Sequence, residues 1–274
     1  MIPAAFDYVR AETADHAVEL LGEHGEEAKL LAGGHSLLPM MKLRLAVPAV
    51  LVDVGRLADL SYVRDAGGHI AIGALTRHRD LEISELLADQ CPLVRGVAAV
   101  VGDPQVRHRG TIGGSIAHSD PASDLPAAIL ALGATVVARG PGGEREIAAA
   151  DFFTGFFESA LAPDELLTEI RVPKTPGAGW SYQKFNRRAQ DWAIVGVAAV
   201  HNGHTGVGLV NMGSTPLRAA GVEAAVAAGA SAADAAAGAD EGTEPMSDLN
   251  ADVDYRRHLV RVLTRRALVE AGVA

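Results

Sequence analysis

Two glycine pairs constrain this chain more than any other feature: Ala32-Gly33-Gly34-His35-Ser36 and Thr111-Ile112-Gly113-Gly114-Ser115. Each closes on a hydroxyl, Ser36 in the first and Ser115 in the second. Glycine turns the backbone through left-handed angles and brings amide N–H groups close to a ligand, which is how proteins cradle phosphate oxygens. One such loop is weak evidence, because short Gly-Gly turns are common. Two of them, carried by separate parts of the chain, suit a pyrophosphate. The commoner nucleotide loops are missing: no G-x-x-x-x-G-K-S/T run occurs, and no G-x-G-x-x-G opens a helix after the first predicted strand. The pattern instead predicts a dinucleotide lying in a cleft between two lobes.

The rest of the chain alternates short apolar runs with amphipathic stretches. Phe6 to Val9 reads as a strand. Ala14 to His24 reads as a helix, with Ala14, Ala17, Val18 and Leu21 on one stripe and Gly25 as its stop. Lys29 to Leu31 is a strand running into the first glycine pair, a short helical turn extends to Leu43, and Val50 to Val54 is the next strand. A second unit begins with Ile70 to Gly73. There Leu93 to Val101 is a helix, Gly102 to Gly110 is irregular, the second glycine pair is a loop, and Leu125 to Leu132 is helical again. Thr135 to Arg139 pairs with Arg145 to Ala148 as a hairpin across Pro141-Gly142-Gly143. Pro173, Pro176, Gly177 and Gly179 mark a linker. Beyond it Trp180 to Phe185, Trp192 to His201 and Gly206 to Met212 read as three strands, the last two joined at Asn202-Gly203. Glu223 to Gly229 and Tyr255 to Ala271 read as helices, and the Ala-, Gly-, Asp- and Glu-rich stretch between them as a surface helix with a mobile loop. The expected fold is α+β: a domain at residues 1–176, with lobes of about 1–55 and 56–176, then a small domain at 177–274 built on a three-stranded antiparallel sheet with helices.

Composition removes several function classes. A net charge of −10 with no basic stripe argues against a nucleic-acid partner. The one cysteine, Cys91, allows no internal disulfide, no zinc knuckle and no self-contained iron-sulfur cluster. Met1 to Leu21 scatters Asp7, Arg10, Glu12, Asp15 and Glu19 among its apolar residues, unlike a signal peptide, and Trp192 to Val200 falls far short of the roughly 20 residues a membrane span needs. The expected location is the cytoplasm, with no transmembrane segment. His35 and His118 have no third ligand at regular spacing, so no metal is expected. Ser36, His35 and Asp120 lack the G-x-S-x-G elbow of a hydrolase.

Leu30 through Leu37, with Pro39 and Arg44 beyond, resembles the first FAD-binding segment of the flavoprotein subunits of molybdenum hydroxylases. Asp103-Pro104-Gln105-Val106-Arg107 leading into Thr111 through Ser115, then Asp120-Pro121 and Ser123-Asp124-Leu125-Pro126, resembles the second. Tyr182, Lys184, Arg188 and Asp191-Trp192-Ala193 are similar to the third signature, and Tyr255 through Leu259 to the closing helix. The likeness covers nearly the whole chain and is greatest to the medium subunits of aerobic carbon monoxide dehydrogenases. It implies a two-lobed, PCMH-type FAD-binding domain. Leu31, Ala32, Gly33, Gly34, His35, Ser36 and Leu37 would line the pyrophosphate and ribityl chain, and Thr111, Gly113, Gly114 and Ser115 would close from the other lobe, with His118 in the same segment.

The resemblance also matches Asp124 to an acid near the adenosine half, for which a helix N-cap is the alternative. Lys184 matches a lysine whose charge stabilises the reduced flavin, with a solvated strand lysine as the alternative. Trp192 matches an aromatic beside the isoalloxazine, with a core tryptophan as the alternative. The implied partners are a small iron-sulfur subunit that relays electrons and a large molybdenum-cofactor subunit that oxidises substrate, doubled into a dimer of heterotrimers, with a quinone or another acceptor receiving the electrons. Two further readings stay open: the medium subunit of a xanthine, aldehyde or N-heterocycle dehydrogenase, and a stand-alone flavin oxidoreductase on the same fold.

Overall fold

The computed structural model describes residues 2–274. Its first lobe is a parallel sheet in which β1 (Asp7–Arg10) and β2 (Ala28–Leu31) flank β3 (Val50–Asp53). Helix α1 (Ala14–His24) starts where the Thr13 side chain accepts the His16 N–H and stops at Gly25, whose φ is 54°. The expected stripe of Ala14, Ala17, Val18 and Leu21 packs with Val50 and Val52 into one core. Because β2 is an edge strand, the chain beyond it is free to bend at Gly33-Gly34 before α2 (Leu37–Lys42).

The second lobe is a five-stranded antiparallel sheet ordered β4-β5-β10-β6-β7. Its strands are β4 (Val63–Asp65), β5 (His69–Gly73), β6 (Thr135–Gly140), β7 (Gly143–Ala148) and β10 (Leu166–Pro173), and a small hairpin, β8 (Phe153–Gly155) with β9 (Glu158–Ser159), stands apart. Six helices fill the connection from β5 to β6: α3 (His78–Ile83), α4 (Glu85–Gln90), α5 (Pro92–Ala99), α6 (Pro104–Arg109), α7 (Ile112–His118) and α8 (Asp124–Leu132). A single turn, α9 (Ala149–Phe152), follows β7. Two expectations fail here. Residues 104–109 are helical rather than irregular, because Asp103 caps the Val106 N–H and Pro104 occupies the first turn. The second glycine pair is not a loop but the first turn of α7, capped by the Thr111 hydroxyl accepting the Gly114 N–H at 3.2 Å.

The C-terminal sheet runs β11 (Gly179–Phe185), β12 (Val195–His201), β13 (Thr205–Val210) and β14 (Leu217–Arg218), the last being a short strand beyond the three expected. Period-two alternation splits β12: Val195, Val197 and Ala199 enter the core under the closing helices, while Ala198 and Val200 join the core of the second lobe. Helix α8 is buried on every side and lies against β13. Gly206 and Gly208 make this possible, since an added Cβ would stand 1.9 and 2.0 Å from the Ala131 and Ala127 carbonyl oxygens. Helices α10 (Ala220–Ala227), α11 (Ala232–Ala237) and α12 (Val253–Glu270) complete the fold. The stretch expected to be surface helix and mobile loop holds the short helix α11 and an exposed, irregular run at 246–250, but one helix face is packed: Ala232 and Ala235 are core residues, and Asp240 pairs with Arg261 of α12 at 2.8 Å. Among the described residues no helix is long and apolar enough to cross a membrane.

Candidate functional site

A cleft of about 1110 Å³ opens between the lobes, and every residue expected to touch the cofactor lines it except Leu31. Leu31 ends β2, where its carbonyl accepts the Val54 N–H at 3.0 Å. Within the second lobe a seam forms where residues 74–78 run beside 110–113: His78 N–H donates to the Gly110 carbonyl, Ile112 N–H to the Thr76 carbonyl and Gly113 N–H to the Ala74 carbonyl. The seam reaches the first lobe at Gly33. A Cβ there would lie 2.3 Å from the Arg109 carbonyl oxygen, which also accepts from the Arg77 guanidinium.

The two glycine pairs differ in what they offer. From Gly33 to Leu37, five successive N–H groups have no acceptor among the described residues, in a segment that lines the cleft. A run of unpaired donors beside a positive-φ glycine, Gly34 at 77°, is the geometry that holds anionic oxygens. The second pair has its amides engaged already: Gly113 donates to the Ala74 carbonyl at 2.8 Å, Gly114 to the Thr111 hydroxyl, and Ser115 to the Thr111 carbonyl at 3.1 Å. Its glycines serve shape, since a Cβ on Gly113 would come 2.6 Å from that of Ala74. What this side presents to the cleft is the Ser115 hydroxyl.

Asp124 is the first residue of α8 rather than its N-cap, and only 3% of it reaches solvent. Its carboxylate accepts from Lys184 Nζ at 2.8 Å and from the Tyr182 hydroxyl, so α8 is clamped to β11 across the cleft wall. Burial pushes the Asp124 carboxyl up in pKa against the opposing pull of Lys184 and Tyr182, and it pushes the Tyr182 hydroxyl well above its usual range. Lys184 is neither solvated nor free: its side chain is 9% exposed and also donates to the Val100 carbonyl at 3.1 Å. Trp192 is no core residue. It is 58% exposed in the segment before β12, where it lines the cleft with Gln190 and Asp191. His118 packs against the Phe157 ring at 4.9 Å between centroids, and burial lowers its pKa.

The sequence reading missed His78 and Phe157, both of which line the cleft. Phe157 sits at the tip of the β8–β9 hairpin with φ 58°, a conformation rare for a bulky side chain. His78 is buried at the seam with its Nε2 3.2 Å from the Ser115 hydroxyl. Neither belongs to a recognisable motif. Each reaches the cleft only through tertiary pairing, at the seam for His78 and in a two-residue hairpin for Phe157.

Comparison with known proteins places these features in a family. Residues 4–175 match the FAD binding domain in molybdopterin dehydrogenase, and residues 180–271 match the CO dehydrogenase flavoprotein C-terminal domain. The carbon monoxide dehydrogenase medium chain of Hydrogenophaga pseudoflava is 41% identical over 98% of this chain and 97% of its own. The 6-hydroxypseudooxynicotine dehydrogenase complex subunit alpha of Paenarthrobacter nicotinovorans is 37% identical over 99% and 96%. A solved structure of reconstituted CO dehydrogenase from Oligotropha carboxidovorans superposes with a TM-score of 0.95 at 40% identity, covering 99% of both chains. The chain is therefore an oxidoreductase component and belongs to the family of FAD-binding flavoprotein subunits of molybdopterin dehydrogenases.

Proposed function

We propose that this chain carries FAD in the cleft between its lobes and serves as the electron-transfer subunit of a heteromeric molybdenum hydroxylase of the carbon monoxide dehydrogenase type. The observation that carries the reading is the run of five N–H groups at Gly33 to Leu37 that have no acceptor among the described residues, in a cleft large enough for a dinucleotide. These amides, with the Ser36 and Ser115 hydroxyls, are the donors that would hold the pyrophosphate. Gly34 supplies the turn, and Thr111, Gly113 and Gly114 shape the opposite wall. His35, Leu37 and His118 complete the lining, and Trp192 offers an exposed ring face at the cleft edge. Asp124 and Lys184 enter as a neutralised pair, so the site gains a fixed dipole there rather than a free cation. Bound FAD supplies a ring that accepts electrons one or two at a time.

In this reading residues 1–176 form the cofactor domain and residues 177–274 close it. Electrons arrive from a small iron-sulfur subunit, substrate is oxidised on a large molybdenum-cofactor subunit, and a quinone or other acceptor drains the flavin. The assembly is a dimer of heterotrimers in the cytoplasm. The substrate belongs to the partner: full-length relatives named for carbon monoxide and for 6-hydroxypseudooxynicotine are similar to this chain over nearly all of it. The test is a visible spectrum of the purified chain followed by acid precipitation, with flavin expected in the supernatant. The isolated chain should be reducible by dithionite and inert toward carbon monoxide, purines and aldehydes. Absence of flavin from both fractions defeats the cofactor reading, and unaided substrate turnover defeats the subunit reading.

A further inference from the structure

His78 begins α3 beneath the cleft, and 2% of it reaches solvent. One ring nitrogen, Nε2, lies 3.2 Å from Ser115 Oγ, while Nδ1 is buried with no hydrogen-bond partner among the described residues. The ring rests on bare backbone, since a Cβ on Gly110 would stand 2.6 Å from its Cδ2. Burial, aided by His35, Arg77 and Arg107, holds the imidazole neutral by pulling its pKa down to about 4.

A neutral imidazole has a single N–H, and its position decides what Ser115 can do. With the proton on Nδ1, a buried donor would be orphaned, and the serine would have to turn its own hydrogen toward Nε2. With the proton on Nε2, the serine oxygen accepts it, and only a lone pair on Nδ1 is left unmatched. Orphaned buried N–H groups are rarer than under-satisfied acceptors, so the second arrangement prevails. In it the Ser115 hydrogen has no acceptor among the described residues, and Ser115 lines the cleft.

We propose that His78 is a positioning residue: by donating from Nε2 to Ser115 Oγ it makes the Ser115 hydroxyl a fixed donor toward an acceptor-only oxygen in the cleft, a phosphate oxygen of FAD. The inference rests on the cofactor reading above. It favours an acceptor oxygen, because the His78 N–H occupies one serine lone pair and leaves the serine hydrogen aimed into the cleft.

Two measurements test it. Long-range proton–nitrogen correlation on the cofactor-free chain, with His78 assigned by its loss in His78→Gln, should show the proton on Nε2. A proton on Nδ1 overturns the proposal. FAD affinity, followed by flavin fluorescence quenching, should fall about tenfold in Ser115→Ala and in His78→Phe, the order expected for one hydrogen bond to a charged group. The double variant should be no weaker than either single one, and His78→Gln, whose amide can donate to Ser115, should recover most of the loss. Additive losses, or no rescue by glutamine in a variant with wild-type circular dichroism, overturn the role of His78. Failure of the wild-type chain to bind FAD is a different result: it removes the cofactor reading itself.

Discussion

At the scale of single residues, the chain buries charge where it most needs fixed geometry. Asp124 and Lys184 sit at 4% and 9% side-chain exposure, so each depends on the other for compensation. Removing one partner of a buried pair leaves an uncompensated charge and typically costs about 3–5 kcal/mol. Lys184→Met should therefore lower the unfolding free energy by that order in urea titration, and adding Asp124→Asn should restore part of it. A loss under about 1 kcal/mol would show that solvent reaches the pair. His78 gives a second expectation. The folded state keeps it neutral down to about pH 4, whereas the unfolded chain takes up its proton near pH 6.5. Between those values the unfolded state holds more protons, so stability falls as the pH drops through that window. The full difference is about 3 kcal/mol. Asp124, raised by burial, works in the opposite direction, so the comparison must be made between wild type and His78→Gln at matched pH, where wild type should lose more. Neither role was legible from sequence. A histidine among Thr76, Arg77 and Arg79 looks like a surface residue until the 74–78 segment pairs with 110–113 and shuts it in.

At the scale of elements, glycine acts through what it lets approach. Gly208 admits the α8 backbone to β13, so Gly208→Ala forces overpacking and should cost about 1–3 kcal/mol of stability while leaving FAD affinity unchanged. Gly34→Ala meets a different obstacle, a left-handed φ of 77° in the run of free amides. It should weaken FAD binding in the same quenching titration, with a strain penalty of about 1–2 kcal/mol. If Gly208→Ala, rather than Gly34→Ala, released the flavin, the cofactor would lie nearer α8 than the first lobe. The elements with complete local signals were readable to within a few residues: α1 has its Thr13 cap and Gly25 stop, and α12 its Asp252 cap and apolar spacing. Helix α7 was not, because two consecutive glycines read locally as a turn, and the Thr111 cap is supported by tertiary bonds from Ile112 and Gly113 to the Thr76 and Ala74 carbonyls. The Asp103-Pro104 start of α6 was present in the sequence, but the Arg107-His108-Arg109 run that follows has no apolar period to mark it as a helix.

At the scale of the whole molecule, the core does not respect the linker. Ala198, Val200 and Val210 of the C-terminal sheet pack into the same cluster as α5, α8 and the five-stranded sheet, and Asp124 reaches across to Lys184 and Tyr182. The chain should therefore unfold in one calorimetric transition, and residues 1–176 expressed alone should expose the outer face of α8 and bind a hydrophobic dye. Two resolved transitions, with a stable shorter fragment, would show that the parts are separable. The broad α+β plan and the meeting of both glycine segments at one cleft were readable because their signals are local, whereas the shared core was hidden because the partners of α8 lie about 80 residues downstream. The seam at Gly33 carries a consequence for heredity. Every single-nucleotide change that replaces glycine specifies a residue bearing a Cβ, or a stop, and the Arg109 carbonyl leaves that Cβ no room. Position 33 thus has no one-step neighbour in sequence space that avoids this clash, and the distance between two stretches of backbone should admit glycine alone there, whatever ligand or partner the cleft serves.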